Sequence, residues 1–398
     1  MRYLWLLAVL AALVAAPGAA EVVSIAEAQN FDALLQELWP QAQAQGIART
    51  TFDAAFAGLT PDPRVIAATR KQPEYGKPVG DYVNAIASKA HIEAGAHKAS
   101  QWAKTLDIVE QKFGVDRWVI IGLWGIETAY GQEKDTWDII RSLATLVQAR
   151  YRDAYFRKEL LIALKIMQQG HIRRESMLGS WAGAMGQPQF MPSDYLEYAV
   201  AISGRGQGDI WTSVPDILAS IANYLHKEGW KQDLPWGFEI VMPKEFDYVH
   251  SRASFKDWTK LGIKRADNGA FPTKGEAILF FPSGAFGPAF LVTENFTVIK
   301  RYNNSDVYAL AVAHLADRVR GQGQIRAAWP PNDRQLSRDE RIALQRKLAE
   351  RGFAVHDFDG HIDFDLRDAI RTVQVQFGML PDGHPTTALL DRLGATAR

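Results

Sequence analysis

One carboxylate constrains this chain more than any other residue, because it ends a run that contains no other charge. Residues 118–126 read Trp-Val-Ile-Ile-Gly-Leu-Trp-Gly-Ile, and Glu127 follows, then Thr-Ala-Tyr-Gly. Taken as a helix, the segment places Leu123, Trp124, Tyr130 and Gly131 on the face of Glu127, so its carboxyl group lies among apolar and aromatic surface. Desolvation there favours the protonated form and suits a glutamate to donate a proton to a leaving oxygen. Gly122 and Gly125 each cost a helix up to about 1 kcal/mol against alanine, which implies that something approaches the backbone closely at both. From these residues alone a second reading stays open, in which Glu127 is a surface glutamate on an ordinary amphipathic helix.

The 398 residues suffice for two or three domains, and a composition of 47% hydrophobic and 23% charged residues is that of a globular protein. The 45 basic and 45 acidic residues cancel, so no overall field draws the protein to nucleic acid, which is not an expected partner. No cysteine is present, excluding disulfides, thiolate metal sites, a cysteine nucleophile and a lipid carried on an N-terminal cysteine. Arg2, the apolar stretch 4–16 and Gly18-Ala19-Ala20 read as an export signal over residues 1–20, with Glu21 as the mature start. The alternative is an uncleaved anchor, although Pro17 and Gly18 interrupt it. No later stretch is suited to cross a bilayer.

From residue 31 to about 147 the pattern is helical, with short turns at 60–63 and 72–76, and a further helix over 153–169 ends at Gly170. Residues 179–192 follow, Gly-Ser-Trp-Ala-Gly-Ala-Met-Gly-Gln-Pro-Gln-Phe-Met-Pro, a loop whose glycines, prolines and amides of Gln187 and Gln189 could face a polar ligand. A tight connection between buried helices is the competing reading. Ser193 or Asp194 can cap the next helix, and Thr212 or Ser213 with Pro215 starts another that stops at Gly229. Strand-like runs over 238–242, 277–281 and 289–300 predict a small β-containing insert before a helix over 306–319. Residues 321–335, centred on Trp329-Pro-Pro, read as a linker to a separate unit over 336–398 that folds alone. That unit has an internal echo, Leu344-Gln345 with Asp359-Gly360 against Val373-Gln374 with Asp382-Gly383.

Gly125-Ile-Glu-Thr-Ala-Tyr-Gly131 together with Ala182-Gly-Ala-Met-Gly-Gln-Pro-Gln-Phe-Met-Pro192 resembles the lytic murein transglycosylase B family, which cleaves peptidoglycan glycan strands. Gln72-Pro-Glu74, Asp209-Ile-Trp211, Ala222-Asn-Tyr-Leu225 and Arg301-Tyr-Asn303 extend the resemblance over residues 31–320. The tail resembles a three-helix peptidoglycan-binding domain. The resemblance implies a mainly α (α+β) chain: a lysozyme-like helical catalytic domain over 21–320 with a small β-containing insert, then the small C-terminal domain. It assigns catalysis to Glu127 and groove contacts to Ser180, Gln189, Tyr302 and Asn303. The family's Arg-Arg-x-x-Tyr-Phe stretch is represented by Arg152, Tyr155 and Phe156, with Arg150 as the substitute for the arginine out of register. Members can carry a calcium loop just before the Ile-Trp motif. Residues 201–212 offer Asp209 alone, with Arg205 where a carboxylate is expected, so no metal and no other cofactor is expected.

Most glycosidases need two carboxylates, and Glu133, Asp135 and Asp138 sit in a polar segment and read as solvated. One glutamate suffices for the chemistry the resemblance implies, in which the muramoyl C6 hydroxyl attacks C1 and closes a 1,6-anhydro ring. The rivals are a hydrolytic muramidase and a wall-binding protein without catalysis. The expected setting is the periplasm, for a monomer without a lipid anchor or a stable membrane span, bound to glycan strands and with wall-synthesis proteins as a further partner class.

Overall fold

The computed structural model describes residues 25–69, 77–133, 136–204, 206–331 and 333–395. The export signal, Gln72-Pro-Glu74, Asp135 and Arg205 lie outside them. Within the described residues the chain divides into two units.

The first comprises Met1–Gln72, Trp102–Val109 and Leu123–Tyr224. Its centre is helix Ile139–Gln148, in which eight of ten residues are buried, six of them apolar together with Ser142 and Thr145. Asp138 caps it, accepting from Arg141 N at 3.0 Å, and the Arg141 guanidinium donates to Thr60 O at 2.6 Å and Pro61 O at 2.9 Å, fixing the expected turn at 60–63. Helix Asp153–Gln168 packs against it and buries Leu160, Ala163, Leu164 and Ile166. The turn between them reverses through left-handed Arg150 and Arg152.

The second unit comprises Pro73–Gln101, Glu110–Gly122 and Leu225–Arg398. Helix Asp306–Val319 is its axis, with helices Val79–Ile86 and Lys89–Gln101 packed on it. A Cβ at Gly122 would stand 2.8 Å from Val312 O, so the expected close approach there is a neighbouring helix. The insert is a five-stranded antiparallel sheet in the order Arg252–Ser254, Glu276–Phe280, Ala289–Val292, Gly237–Val241, Lys264–Arg265. Trp258, Leu279 and Leu291 are fully buried beneath it. The run at 289–300 is a strand only to Val292. Thr293 then accepts from Asn295 N at 3.2 Å and opens helix Glu294–Arg301, a local cap that overrides the β-rich composition.

The tail forms helices Arg338–Ala349, Phe364–Gln376 and Thr387–Ala395 around Leu344, Leu348, Ile370, Val373 and Leu389. The sequence echo is structural. Gln345 takes Gly360 N at 2.8 Å and gives to Asp359 at 3.3 Å and His361 O at 2.9 Å; Gln374 takes Gly383 N at 2.8 Å and gives to Asp382 at 2.8 Å and His384 O at 3.4 Å. The stretch before the tail is irregular but not loose. Arg326 N and Ala327 N both donate to Glu239, Asp333 accepts from Val79 N at 3.0 Å, and Trp329 lies so close over Gly80 that a Cβ would stand 2.4 Å from its ring. The stretch read as a linker is thus fastened to its own unit at several points.

Candidate active site

Glu127 sits in the last turn of helix Arg117–Thr128. It is half-buried, while its helical neighbours Leu123, Trp124 and Tyr130 are 0%, 1% and 2% exposed, so Glu127 is the partly exposed residue of an otherwise buried apolar face. The helix then reverses sharply. Ala129, Tyr130 and Gly131 take φ of 47°, 62° and 77°, and Tyr130 N bonds back to Trp124 O at 3.2 Å. Left-handed backbone costs a residue with a side chain about 1–2 kcal/mol, so two in succession mark a conformation held by its surroundings. The reversal lays the Tyr130 ring on Gly125, where a Cβ would stand 2.7 Å from it, and edge-on to Trp124 at 5.8 Å. Burial raises the Tyr130 phenol well above its usual range.

Gln187 holds this turn to the loop. Its Oε1 accepts from Trp124 Nε1 at 2.8 Å, its Nε2 donates to Trp211 O at 2.9 Å, and its carbonyl accepts from Thr128 Oγ1 at 3.0 Å. The expectation that its amide faces a ligand is corrected: it is an internal strut, and Gly131 is glycine because a Cβ would meet Gln187 Oε1 at 2.3 Å. The direction of an amide in a loop depends on partners distant in sequence, here 63 and 24 residues away.

The loop itself is a small ladder. Met185 and Phe190 exchange N–H···O bonds of 2.8 and 3.0 Å, and Gly179 leaves no room for a Cβ beside Ala184 O. Ser180 is 3% exposed and its Oγ accepts from Ala184 N at 3.0 Å, which braces the ladder. Gln189 is half-buried with φ 53°, its Nε2 donating to Gly186 O at 2.8 Å. Hydrogen bonds thus bring the helix of Glu127 and the loop of Ser180 and Gln189 together.

Arg152 and Tyr155 lie in the same unit, the guanidinium 4.7 Å over the Tyr155 ring. Arg150 is committed elsewhere, to Asp153 at 3.0 Å and Glu37 at 3.3 Å. The acids after Glu127 are not simply solvated. Asp138 is a helix cap paired to Arg174 at 2.6 Å, and burial raises the Glu133 carboxyl. Sequence reasoning passed over Glu159, which is 1% exposed and takes Ser193 Oγ at 2.8 Å and Ser193 N at 2.9 Å. Its position on the helical face of Phe156, Leu160 and Ala163 was the available signal. Ser193 consequently does not cap its own helix. Pro192–Tyr198 starts after Met191, whose N–H donates to Asp194 at 3.3 Å.

Tyr302 and Asn303 belong to the second unit, on the turn after helix Glu294–Arg301, where Asn303 is exposed and Tyr302 half-buried.

The transglycosylase SLT domain family matches residues 30–317. The chain belongs to this family. A peptidoglycan binding domain family matches residues 337–393 of this SLT-domain protein. Over 237 residues it is 32% identical to the membrane-bound lytic murein transglycosylase B of Escherichia coli K12, a match spanning 58% of this chain and 64% of that relative. The crystal structure of SltB3 from Pseudomonas aeruginosa in complex with NAG-anhNAM-pentapeptide superposes with a TM-score of 0.82 at 44% identity, covering 92% of this chain and all of that one. The soluble lytic transglycosylase SltB1 of the same organism gives 0.63 at 27%, covering 73% and 99%. The lysozyme-like helical fold with a small sheet is thereby shown.

The donor set around residues 201–212 does not suit calcium. Asp209 accepts from Trp211 N and Thr212 N at 2.9 Å each and from the Thr212 hydroxyl, while Asp216 accepts from Ile202 N at 2.9 Å and Asp209 N at 3.1 Å. Calcium requires six to eight oxygens, and both carboxylates here are taken up by N–H and O–H donors of their own loop.

Proposed function

We propose that this chain is a lytic transglycosylase that cleaves the β-1,4 bond between N-acetylmuramic acid and N-acetylglucosamine in peptidoglycan. The observation that carries the reading is Glu127: one half-buried glutamate beside buried Leu123, Trp124 and Tyr130, on a helix end locked by Gln187. Glu127 protonates the glycosidic oxygen as the bond to C1 breaks. The resulting carboxylate then takes the proton of the muramoyl C6 hydroxyl while that oxygen bonds to C1, so the acid is regenerated and no water is consumed. Gln189, Arg152, Tyr155, Tyr302 and Asn303 are the proposed glycan contacts, with Ser180, 3% exposed, reaching the glycan only from within the loop it braces. The complex of SltB3 with an anhydro-muramoyl ligand supports the same chemistry by relationship.

The proposed setting is the periplasm, reached through residues 1–20. No described helix is long and apolar enough to cross a membrane, and the absence of cysteine excludes a lipid thioether. Product analysis tests the function: anhydro-muramoyl ends are expected, reducing ends would show a muramidase, and no cleavage a binding protein. Glu127→Gln keeps the shape but cannot move a proton, so a loss of about 10² to 10⁴ in rate is expected, with glycan binding retained. Cleavage by this variant near the wild-type rate would remove Glu127 from the mechanism.

A further inference from the structure

The four-residue turn bearing Tyr302 and Asn303 is held at both ends by the tail. Before it, Lys300 is 6% exposed and its Nζ donates to Ile362 O at 2.9 Å and lies 2.8 Å from Asp306 Oδ1. After it, Asp306 is 8% exposed and its Oδ2 accepts from Arg367 Nη2 at 2.7 Å and Nε at 3.1 Å. Arg367, itself 6% exposed, gives its remaining nitrogen to Gly383 O at 3.2 Å. Over the turn, His361 Nδ1 meets Asn304 O at 3.0 Å, and Asn304 has left-handed φ of 47°. The second repeat is engaged in the same way, Asp382 accepting from Ala285 N at 3.0 Å while Arg371 donates to Leu279 O at 2.9 Å. A tethered wall anchor needs none of these contacts, and burying two cations with one carboxylate is tolerable only where carbonyls satisfy the excess donors, as Ile362 O and Gly383 O do.

We propose that Arg367 and His361 are positioning residues for the reaction: the tail clamps residues 300–306 so that Tyr302 and Asn303 are presented to the glycan in one geometry. The proposal rests on the reading of Tyr302 and Asn303 as glycan contacts. The tail then has a role in turning over substrates too short to be held by a wall anchor. Loss of the clamp frees the turn, so the bound geometry is populated only part of the time and apparent affinity falls by that fraction.

The test uses the full chain and soluble glycan fragments, with kcat, KM, melting temperature and amide exchange over 301–306 measured for His361→Ala, Arg367→Ala, Arg367→Lys and Asn303→Ala. His361 is half-buried at the edge of the contact, so His361→Ala is expected to stay folded. Its KM should rise several-fold at nearly constant kcat, about the equivalent of one lost hydrogen bond, with faster exchange at the turn. Arg367→Ala should do more, and Arg367→Lys, which keeps the charge, should recover part of it. If Arg367→Ala does not fold, His361→Ala and Arg367→Lys carry the test. Wild-type KM and exchange in the tail variants, with KM raised in Asn303→Ala, would overturn the clamp alone. Wild-type KM in Asn303→Ala would overturn the glycan-contact reading and the proposal with it.

Discussion

Gln187→Met puts the strut between the Glu127 helix and the loop to the test. Methionine has similar length and fills the space, but it offers Trp124 Nε1 only a weak acceptor and Trp211 O no donor. Two hydrogen bonds of 2.8 and 2.9 Å are lost: the one to Trp211 O is worth about 1 kcal/mol net, and loss of the other leaves the indole N–H of a tryptophan 1% exposed without a good partner at about 1–3 kcal/mol. The sum is about 2–4 kcal/mol, before relaxation reduces it. In a unit of this size that corresponds to a fall in melting temperature on the order of 10 °C. Activity should fall by about 10² even well below the transition, because the bond of Thr128 to the main-chain carbonyl of residue 187 remains but Trp124 and the left-handed turn on it are no longer fixed to the loop, and Glu127 shifts with them. Urea unfolding followed by tryptophan fluorescence, with rates measured at 20 °C below the mutant midpoint, reads both effects. Combining Gln187→Met with Trp124→Phe supplies the control. The phenylalanine has no N–H to satisfy, so the pair should be less destabilised than the sum of its members by roughly 1–2 kcal/mol. Strict additivity, or a single mutant within about 0.5 kcal/mol of wild type, would show that the strut is a crossing of groups with no energetic consequence.

Three further outcomes are expected. Melting curves in excess calcium and in chelator should coincide at constant ionic strength, since a ligand of the folded state alone would raise the midpoint as it is titrated; a calcium-dependent rise abolished by Asp209→Asn would contradict the donor assignment given above. Burial raises Asp317 to about 7 although Trp236 Nε1 donates to it at 3.1 Å, so between the ordinary carboxylate range and about 7 the folded state holds a proton the unfolded chain has lost, and stability falls as pH rises through that window. Asp317→Asn keeps an acceptor for Trp236 and should flatten that slope, and an unchanged slope would place the titration elsewhere. Glu133→Gln should cost less than about tenfold in rate and leave anhydro products, because the single-glutamate mechanism gives it no proton to move; a loss as deep as that of Glu127→Gln would instead make it the second carboxylate of a hydrolase.

The legible parts of this protein are those whose partners are close in sequence. The apolar surroundings of Glu127 could be read because the run before it is contiguous, and helix periodicity turns a contiguous run into a buried face without reference to the rest of the chain. The tail repeat was legible for the same reason, since each glutamine closes a turn 15 or 9 residues later. The stretch at 289–300 misled because β-rich composition is a weak preference that one capping threonine can reverse. Gln187 misled for a different reason: a polar loop residue looks solvent-facing until its partners, 63 and 24 residues away, are known, and the contacts of Trp329 with Gly80 and of Asp333 with Val79 are hidden from a local reading in the same way. Lys300, Asp306 and Arg367 are the sharpest case. Each alone reads as surface, because an unpaired charge is too costly to bury, and burial becomes possible only for the three together with two carbonyls. Burial of a charge is thus a property of a set that the chain assembles from positions 61 residues apart, and no window along the sequence contains it. The same logic explains why the contacts of the tail were not legible: they are the ones a residue-by-residue reading assigns to water.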